Sequence, residues 1–216
     1  MAIFLAGVLA LASLISGASA GASDFKLGNT IATGPPGFNI TSLGVNGSGC
    51  PAGTFSHSFS DDNTAMTLSF NQYYAKAGPG VSISQSRKNC QLTASIVVPP
   101  GYTFGISSVE YRGYYQLDKD VEARQAALYY FQGNIAQAAA QSTYKGPVDG
   151  RFYTYQDTFD LGSTVLAPCG GSSVLNINND VRINNAKNRE GSGFIAADSV
   201  ENSLLTTYNF QWRTCS

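Results

Sequence analysis

The sequence predicts an all-β protein: an antiparallel β-sandwich stapled by two disulfides. Three observations predict it. Apolar side chains recur at every second position through most of the chain, Gly, Pro and Asn interrupt those runs at short intervals, and four cysteines all lie beyond an apolar N-terminal leader. A period of two places alternate side chains on one face of a strand, so each run reads as a strand with one buried face. Many short runs of this kind, separated by turn residues, suit two packed antiparallel sheets.

The leader comes first. Ile3 to Ile15 is apolar apart from Gly7 and Ser13, and small residues then lead to Ala18-Ser19-Ala20. This is the pattern of a secretory h-region followed by an A-x-A cleavage site, so residues 1–20 are expected to be a signal peptide. The run is shorter than the roughly 20 apolar residues a bilayer span needs. About 196 residues follow, enough for one sizeable core.

Residues 21–49 are rich in Gly, Ser, Pro and Asn and are expected to be irregular, with residues 50–216 forming the single sandwich domain. Phe55, His57 and Phe59 then alternate with serines, and Met66, Leu68 and Phe70 with Thr67 and Ser69. Asp61-Asp62-Asn63 between them has the chemistry of a hairpin turn. Leu92, Ala94, Ile96 and Val98 form the next strand, which Pro99-Pro100-Gly101 stops. Tyr102, Phe104 and Ile106 share a face, but Val109 and Tyr111 have the opposite parity, which predicts a β-bulge at Ser107-Ser108.

Residues 120–141 are ambiguous. Leu128-Tyr129-Tyr130-Phe131 reads as a strand, and the Ala-rich stretch after it as a loop or short helix. Tyr153, Tyr155, Phe159 and Leu161 form a further alternating run. Leu175, Ile177, Val181 and Ile183 form another, against Asn176, Asn178, Asp180 and Arg182. Thr206, Tyr208, Phe210 and Trp212 close the chain.

Four cysteines behind a signal sequence imply two disulfides. Three pairings are possible; Cys50–Cys90 with Cys169–Cys215 is favoured, the second tying down the C-terminal strand. Each closes a loop worth about 4 kcal/mol in the chain-entropy model. Asn39-Ile40-Thr41 and Asn46-Gly47-Ser48 are N-glycosylation sequons in an exposed segment. Net charge is −1 with 12% charged residues, so no basic stripe exists to neutralise nucleic-acid phosphates or to grip an anionic membrane.

Several short motifs then fall in a specific order. Gly47-Ser48-Gly49-Cys50-Pro51 precedes Arg87-Lys88-Asn89-Cys90-Gln91-Leu92, Pro100-Gly101-Tyr102 and Tyr111-Arg112-Gly113-Tyr114. Pro168-Cys169-Gly170, Leu175-Asn176-Ile177-Asn178-Asn179 and Trp212-Arg213-Thr214-Cys215 complete the series. Over residues 45–215 the chain resembles the secreted family, common in filamentous fungi, known as domain of unknown function 4360. The resemblance implies the fold, secretion and a fungal source, and it assigns no catalytic residues.

The residues themselves offer little catalytic apparatus. His57 is the one histidine; it alternates with Phe55 and Phe59, so an inward, structural role is expected. G-x-S-x-G is absent, and one histidine cannot supply a histidine-based zinc site. Asp61-Asp62-Asn63 could offer loop oxygens to calcium, but the full D-x-[DN]-x-[DN]-G pattern is missing, and a solvated turn is the better reading. Among carboxylates, Glu110 and Glu122 flank a short turn and would face each other if residues 109–123 formed a hairpin, the one route to a carboxylate hydrolase of wall polysaccharide.

Adjacent aromatics are more telling. In Tyr114-Tyr115 and Tyr129-Tyr130 one ring of each pair must face outward. Exposed Tyr beside Asn and Gln suits sugar stacking or a protein contact. The expected binding surface is therefore Tyr114, Tyr115, Tyr129 and Tyr130 with Asn176 and Asn178. The expectation is a secreted, non-enzymatic binding protein of the extracellular space or cell wall without a cofactor, an effector that engages a host protein or a glycan being one form of it. The alternatives are the hydrolase and a structural wall component.

Overall fold

The structure, a computed structural model, describes residues 27–159, 165–196 and 205–215. The expected signal peptide, residues 1–20, lies outside them. The described chain forms two antiparallel sheets, with one short 3-10 turn at Ile83–Gln85. In the eight-stranded sheet, β3 (Phe55–Phe59), β4 (Ala65–Phe70), β13 (Leu205–Cys215), β7 (Tyr102–Leu117), β12 (Gly193–Ala196) and β5 (Tyr74–Ala77) follow in that order. β1 (Leu27–Ile31) pairs with β13, and β10 (Val148–Thr158) pairs with β7. The five-stranded sheet has the order β2 (Asn39–Asn46), β6 (Arg87–Val97), β11 (Ser172–Asn184), β8 (Glu122–Phe131) and β9 (Gln137–Lys145).

The 16-residue β7 organises the larger sheet. Residues 102–111 pair with β13 and residues 114–117 with β12, while β10 runs along the other edge. The expected bulge lies on β7: Ile106 faces Phe210 and Ser108 faces Asn209, so Ser107 is the extra residue. Its hydroxyl donates to the Asn209 carbonyl at 3.1 Å. The bulge turns the parity over, so that Phe104 and Ile106 before it and Val109, Tyr111 and Tyr115 after it all point into the core.

The core fills the space between the sheets. Leu92, Ile96, Leu175, Ile177, Val181, Tyr129 and Phe131 of the smaller sheet meet Phe104, Val109, Tyr111, Tyr208 and Trp212 of the larger one. Several polar groups there are paired across the interface, though the Tyr73 hydroxyl, Gln125 Nε2 and the Trp212 indole N–H have no partner among the described residues. The Tyr111 and Tyr129 hydroxyls meet each other, the Asn179 amide donates to the Tyr208 hydroxyl at 3.0 Å, and Tyr153 donates to Gln125 Oε1 at 2.6 Å.

Burial pushes the phenols of Tyr73, Tyr111, Tyr129, Tyr153 and Tyr208 well above their ordinary 10.0. Such groups stay protonated when folded and ionise when unfolded. Their contribution to stability is therefore full below the ordinary value and is lost as pH rises from there toward the folded values, roughly 1 kcal/mol per pH unit for each tyrosine. In an alkaline titration followed at the tyrosinate absorbance, these five should ionise only together with loss of the near-ultraviolet dichroism. Reversible ionisation of all 12 tyrosines with dichroism intact would contradict this packing.

Both disulfides have the favoured pairing, with Cα–Cα distances of 5.5 Å for Cys50–Cys90 and 6.0 Å for Cys169–Cys215. Three expectations need correction. The segment 21–49 is not wholly irregular, because β1 and β2 lie in it as edge strands, half-exposed and hence weakly periodic in sequence. The Ala-rich stretch is strand β9, paired with β8 from Glu122↔Lys145 to Tyr130↔Gln137; backbone pairing overrides alanine's helical preference. His57 has the parity expected of it, opposite the fully buried Leu68, yet it is exposed. β3 is the outermost strand of that path through the larger sheet, and four of its five residues are exposed.

Asp61-Asp62-Asn63 forms the β3–β4 turn, with Asn63 at φ 56°. Asp62 Oδ1 accepts from the Ser60 hydroxyl at 2.7 Å and from the Thr64 hydroxyl at 2.7 Å and amide at 3.0 Å. These bonds, that from Ser60 foremost, hold the carboxyl down to about 2. The turn thus has an internal use for the carboxylate proposed above as a calcium ligand.

Candidate functional site

The adjacent aromatic pairs in the strands, and Tyr73-Tyr74 at the start of β5, split one ring in and one out, as alternation requires within a strand. Tyr73, Tyr115, Tyr129 and Tyr153 are buried; their neighbours Tyr74, Tyr114, Tyr130 and Phe152 face outward. Tyr115 and Tyr129, expected in the binding surface, are therefore core residues. Tyr115 stacks on Tyr144 at 4.4 Å, and Tyr129 packs against Phe159 and Tyr208.

Three of the outward rings converge. Across the adjacent strands β5, β12, β7 and β10, the outer face of the larger sheet carries Tyr74, Phe194, Tyr114 and Phe152 as a continuous strip. Tyr74 stacks on Phe194 at 5.6 Å, Phe194 lies 6.3 Å from Tyr114, and Tyr114 meets Phe152 edge-on at 5.3 Å. At the usual strand spacing the strip is roughly 14 Å long. Phe152, at 67% exposure, is its open end.

The local sequence builds this strip. Phe152 is the direct cross-strand partner of Tyr114, and Ala196 stands between Tyr114 and Tyr74, leaving room for the rings. Gly150, at φ 74°, lies where a Cβ would meet the Tyr114 hydroxyl at 2.3 Å, so only glycine lets that ring settle there.

Beside Phe194 the strip opens into a cleft of about 270 Å³ that also includes Lys76, Gln116, Asp118 and Ser192. Asp118 Oδ2 accepts from the Ser192 amide at 2.7 Å, which fixes the far wall. Lys76 has no ion-pair partner among the described residues. Further along the same face, Arg112 and Glu110 form an ion pair at 2.7 Å, and the Thr67 and Thr207 hydroxyls meet at 3.2 Å. Flat apolar rings beside a few convergent polar groups are the surface chemistry that takes a sugar chain, stacking on its C–H faces and bonding its hydroxyls.

The remaining candidates lie elsewhere. Tyr130, Asn176 and Asn178 occupy the outer face of the smaller sheet, where Tyr130 is the cross-strand partner of Asn176. Asn176 Oδ1 accepts from Gln91 at 3.3 Å and Thr93 at 3.2 Å, and Asn178 is exposed. Both sequons are exposed on edge strand β2.

Glu110 and Glu122 are not brought together. β7 and β8 belong to different sheets, and each glutamate sits between two buried residues, hence on opposite outer faces of the sandwich. Glu110 is engaged by Arg112, and Glu122 by Lys187 at 3.3 Å and Lys145 at 4.0 Å. Among the described residues no group of three or more His, Cys, Asp or Glu is placed to hold a metal, and no helix is long and apolar enough to cross a membrane.

The strip members missed in sequence were Tyr74, Phe194 and Phe152. The rule that selected Tyr114 applies equally to Tyr73-Tyr74 and Phe152-Tyr153, so two of the three were legible. Phe194, in a four-residue strand without an aromatic neighbour, carried no such signal.

An uncharacterized secreted protein of Arthroderma benhamiae is 41% identical over 182 residues, spanning 84% of this chain and 74% of the relative. The chain is, like it, a secreted protein. Among solved structures, TmCBM61 in complex with β-1,4-galactotriose is similar over 79% of this chain and 90% of that one, at 9% identity and a TM-score of 0.27. The enzymatically active domain of bacteriophage CBA120 tailspike protein 4 is similar over 88% of this chain and 19% of that one, at 15% identity and a TM-score of 0.20. Neither score is high enough to bear on fold or ligand. The family model of domain of unknown function DUF4360 matches residues 36–215, and the chain belongs to that family.

Proposed function

We propose that the protein is a non-enzymatic, extracellular glycan-binding protein that holds its ligand on the aromatic strip. The observation that supports this reading is the set Tyr74, Phe194, Tyr114 and Phe152 on four adjacent strands, continuous with the polar cleft at Lys76 and Gln116. A linear saccharide lying across the strands would stack successive rings on the strip and direct hydroxyls toward the cleft. The cleft supplies hydrogen-bonding groups with Asp118 as its one carboxylate, where glycoside hydrolysis ordinarily uses two, which favours holding a chain over cutting it.

Retention of the oxidised protein on insoluble wall polysaccharides tests the reading. Saturable retention on one polysaccharide is expected. The double substitution of Phe152→Ala and Tyr114→Ala should lower affinity about tenfold or more, at ~1 kcal/mol for each ring contact. Equal retention of the variant would remove the strip from the account. Absence of glycan retention, with capture of one host extracellular protein, would replace the reading with that of an effector.

A further inference from the structure

The outer face of the five-stranded sheet carries a row of three arginines. Arg182 on β11 stands directly opposite Arg87 on β6 and directly opposite Arg124 on β8, and all three are exposed. Direct cross-strand neighbours have Cβ atoms about 5 Å apart, where like charges are destabilising. The compensation is partial. Asp180 pairs with Arg87, Arg124 donates to Gln141 Oε1 at 2.6 Å, and Arg182 has neither hydrogen bond nor ion pair among the described residues. The row stands on a chain whose net charge is −1, so it is a local concentration and not a general basic character.

Alongside the row runs a groove of about 290 Å³. The side chains of Ala126, Leu128 and Ala139 floor it, and Arg124, Asn178, Gln141 and the Arg87–Asp180 ion pair stand at its sides, so Arg124 is the lining cation without a carboxylate partner. An apolar floor of small side chains suits the C–H face of a sugar ring, amides beside it suit hydroxyls, and planar guanidinium groups bind carboxylate or sulfate with paired N–H donors. We infer that this groove is a second binding site, on the face opposite the aromatic strip, for an anionic glycan bearing carboxylate or sulfate groups. The site does not rest on the aromatic-strip reading, because it shares no residue or sheet with it.

Calorimetric titration of the full secreted protein with oligogalacturonate, with its methyl ester and with a sulfated oligosaccharide tests this. Binding of at least one anionic oligosaccharide is expected, ten times or more tighter than the neutral ester, and weakening as salt is added. Which of the two binds identifies the anion as carboxylate or sulfate. The double variant R124Q/R182Q should lose the same tenfold or more, with an unchanged or raised thermal midpoint because two like charges are relieved. R182Q alone is the milder second variant and should lose part of it. Phe152→Ala should leave this binding untouched, which separates failure here from failure of the strip. Failure of both anionic oligosaccharides to bind more tightly than the neutral ester, unchanged binding by R124Q/R182Q, or full competition by inorganic sulfate at the oligosaccharide's own concentration would overturn the inference.

Discussion

Replacing Cys169 and Cys215 by serine is expected to lower the free energy of unfolding by about 4 kcal/mol. The bond closes a loop of 46 residues, and most of its effect comes from the conformations denied to the unfolded chain. Its place in the fold adds a consequence. Cys215 ends β13, which lies between β7 on one side and β4 and β1 on the other. Release of that end should loosen β1 first, so amide exchange of residues 27–31 should speed up more than that of β4. Urea unfolding of the serine variant measures the first effect and hydrogen exchange the second. A loss below about 1 kcal/mol would mean that the unfolded chain is already restricted without the bond.

Trp212→Ala is expected to cost about 3–5 kcal/mol, the range for deleting a large buried aromatic. Trp212 is 1% exposed and packs against Phe38 at 5.1 Å, Phe104 at 5.7 Å and Phe210 at 6.2 Å. Its deletion would leave a cavity bounded by three aromatic rings on two strands and the segment before β2. Trp212→Phe is the control. It keeps most of the ring, and the indole N–H it removes has no partner among the described residues, so its cost should be a small part of the alanine cost. Far-ultraviolet dichroism is the appropriate readout, since either change removes the single tryptophan. Equal costs for the two variants would contradict the packing described.

Phe38 also shows why part of the fold was hidden in the sequence. Its ring lies 5.1 Å from both Phe104 and Trp212, so the Gly- and Pro-rich segment around it closes one end of the core. A segment that contributes one large side chain between two edge strands has no period to detect. The central strands were legible for the opposite reason: β6, β7, β11 and β13 have one face buried along most of its length, which enforces alternation. Even the bulge at Ser107 was visible, as a change of parity. Sheet assignment was not. Glu110 and Glu122 are separated by a short turn, and sequence proximity suggested a hairpin, but the turn carries the chain from one sheet to the other. His57 shows the same limit: alternation gives the face of a strand and says nothing of whether an opposing sheet covers it.

The candidate site was half legible. Adjacent aromatics mark outward rings but do not say which rings meet. Tyr74, Tyr114 and Phe152 come from strands far apart in the chain, and only the order β5-β12-β7-β10 brings them together, with Phe194 filling the gap. The arginine row was hidden in the same way, since Arg87, Arg124 and Arg182 become neighbours only through the register of β6, β11 and β8.

The central claim is that the aromatic strip is the binding face. Amide and aromatic chemical-shift mapping of the labelled protein, titrated with a soluble fragment of whichever neutral polysaccharide retains it, tests that claim most directly. The account predicts saturable shifts at Tyr74, Tyr114, Phe152 and Phe194, with Gln116 in the adjoining cleft. Shifts confined to other surfaces, with those five positions unmoved at saturation, would contradict it.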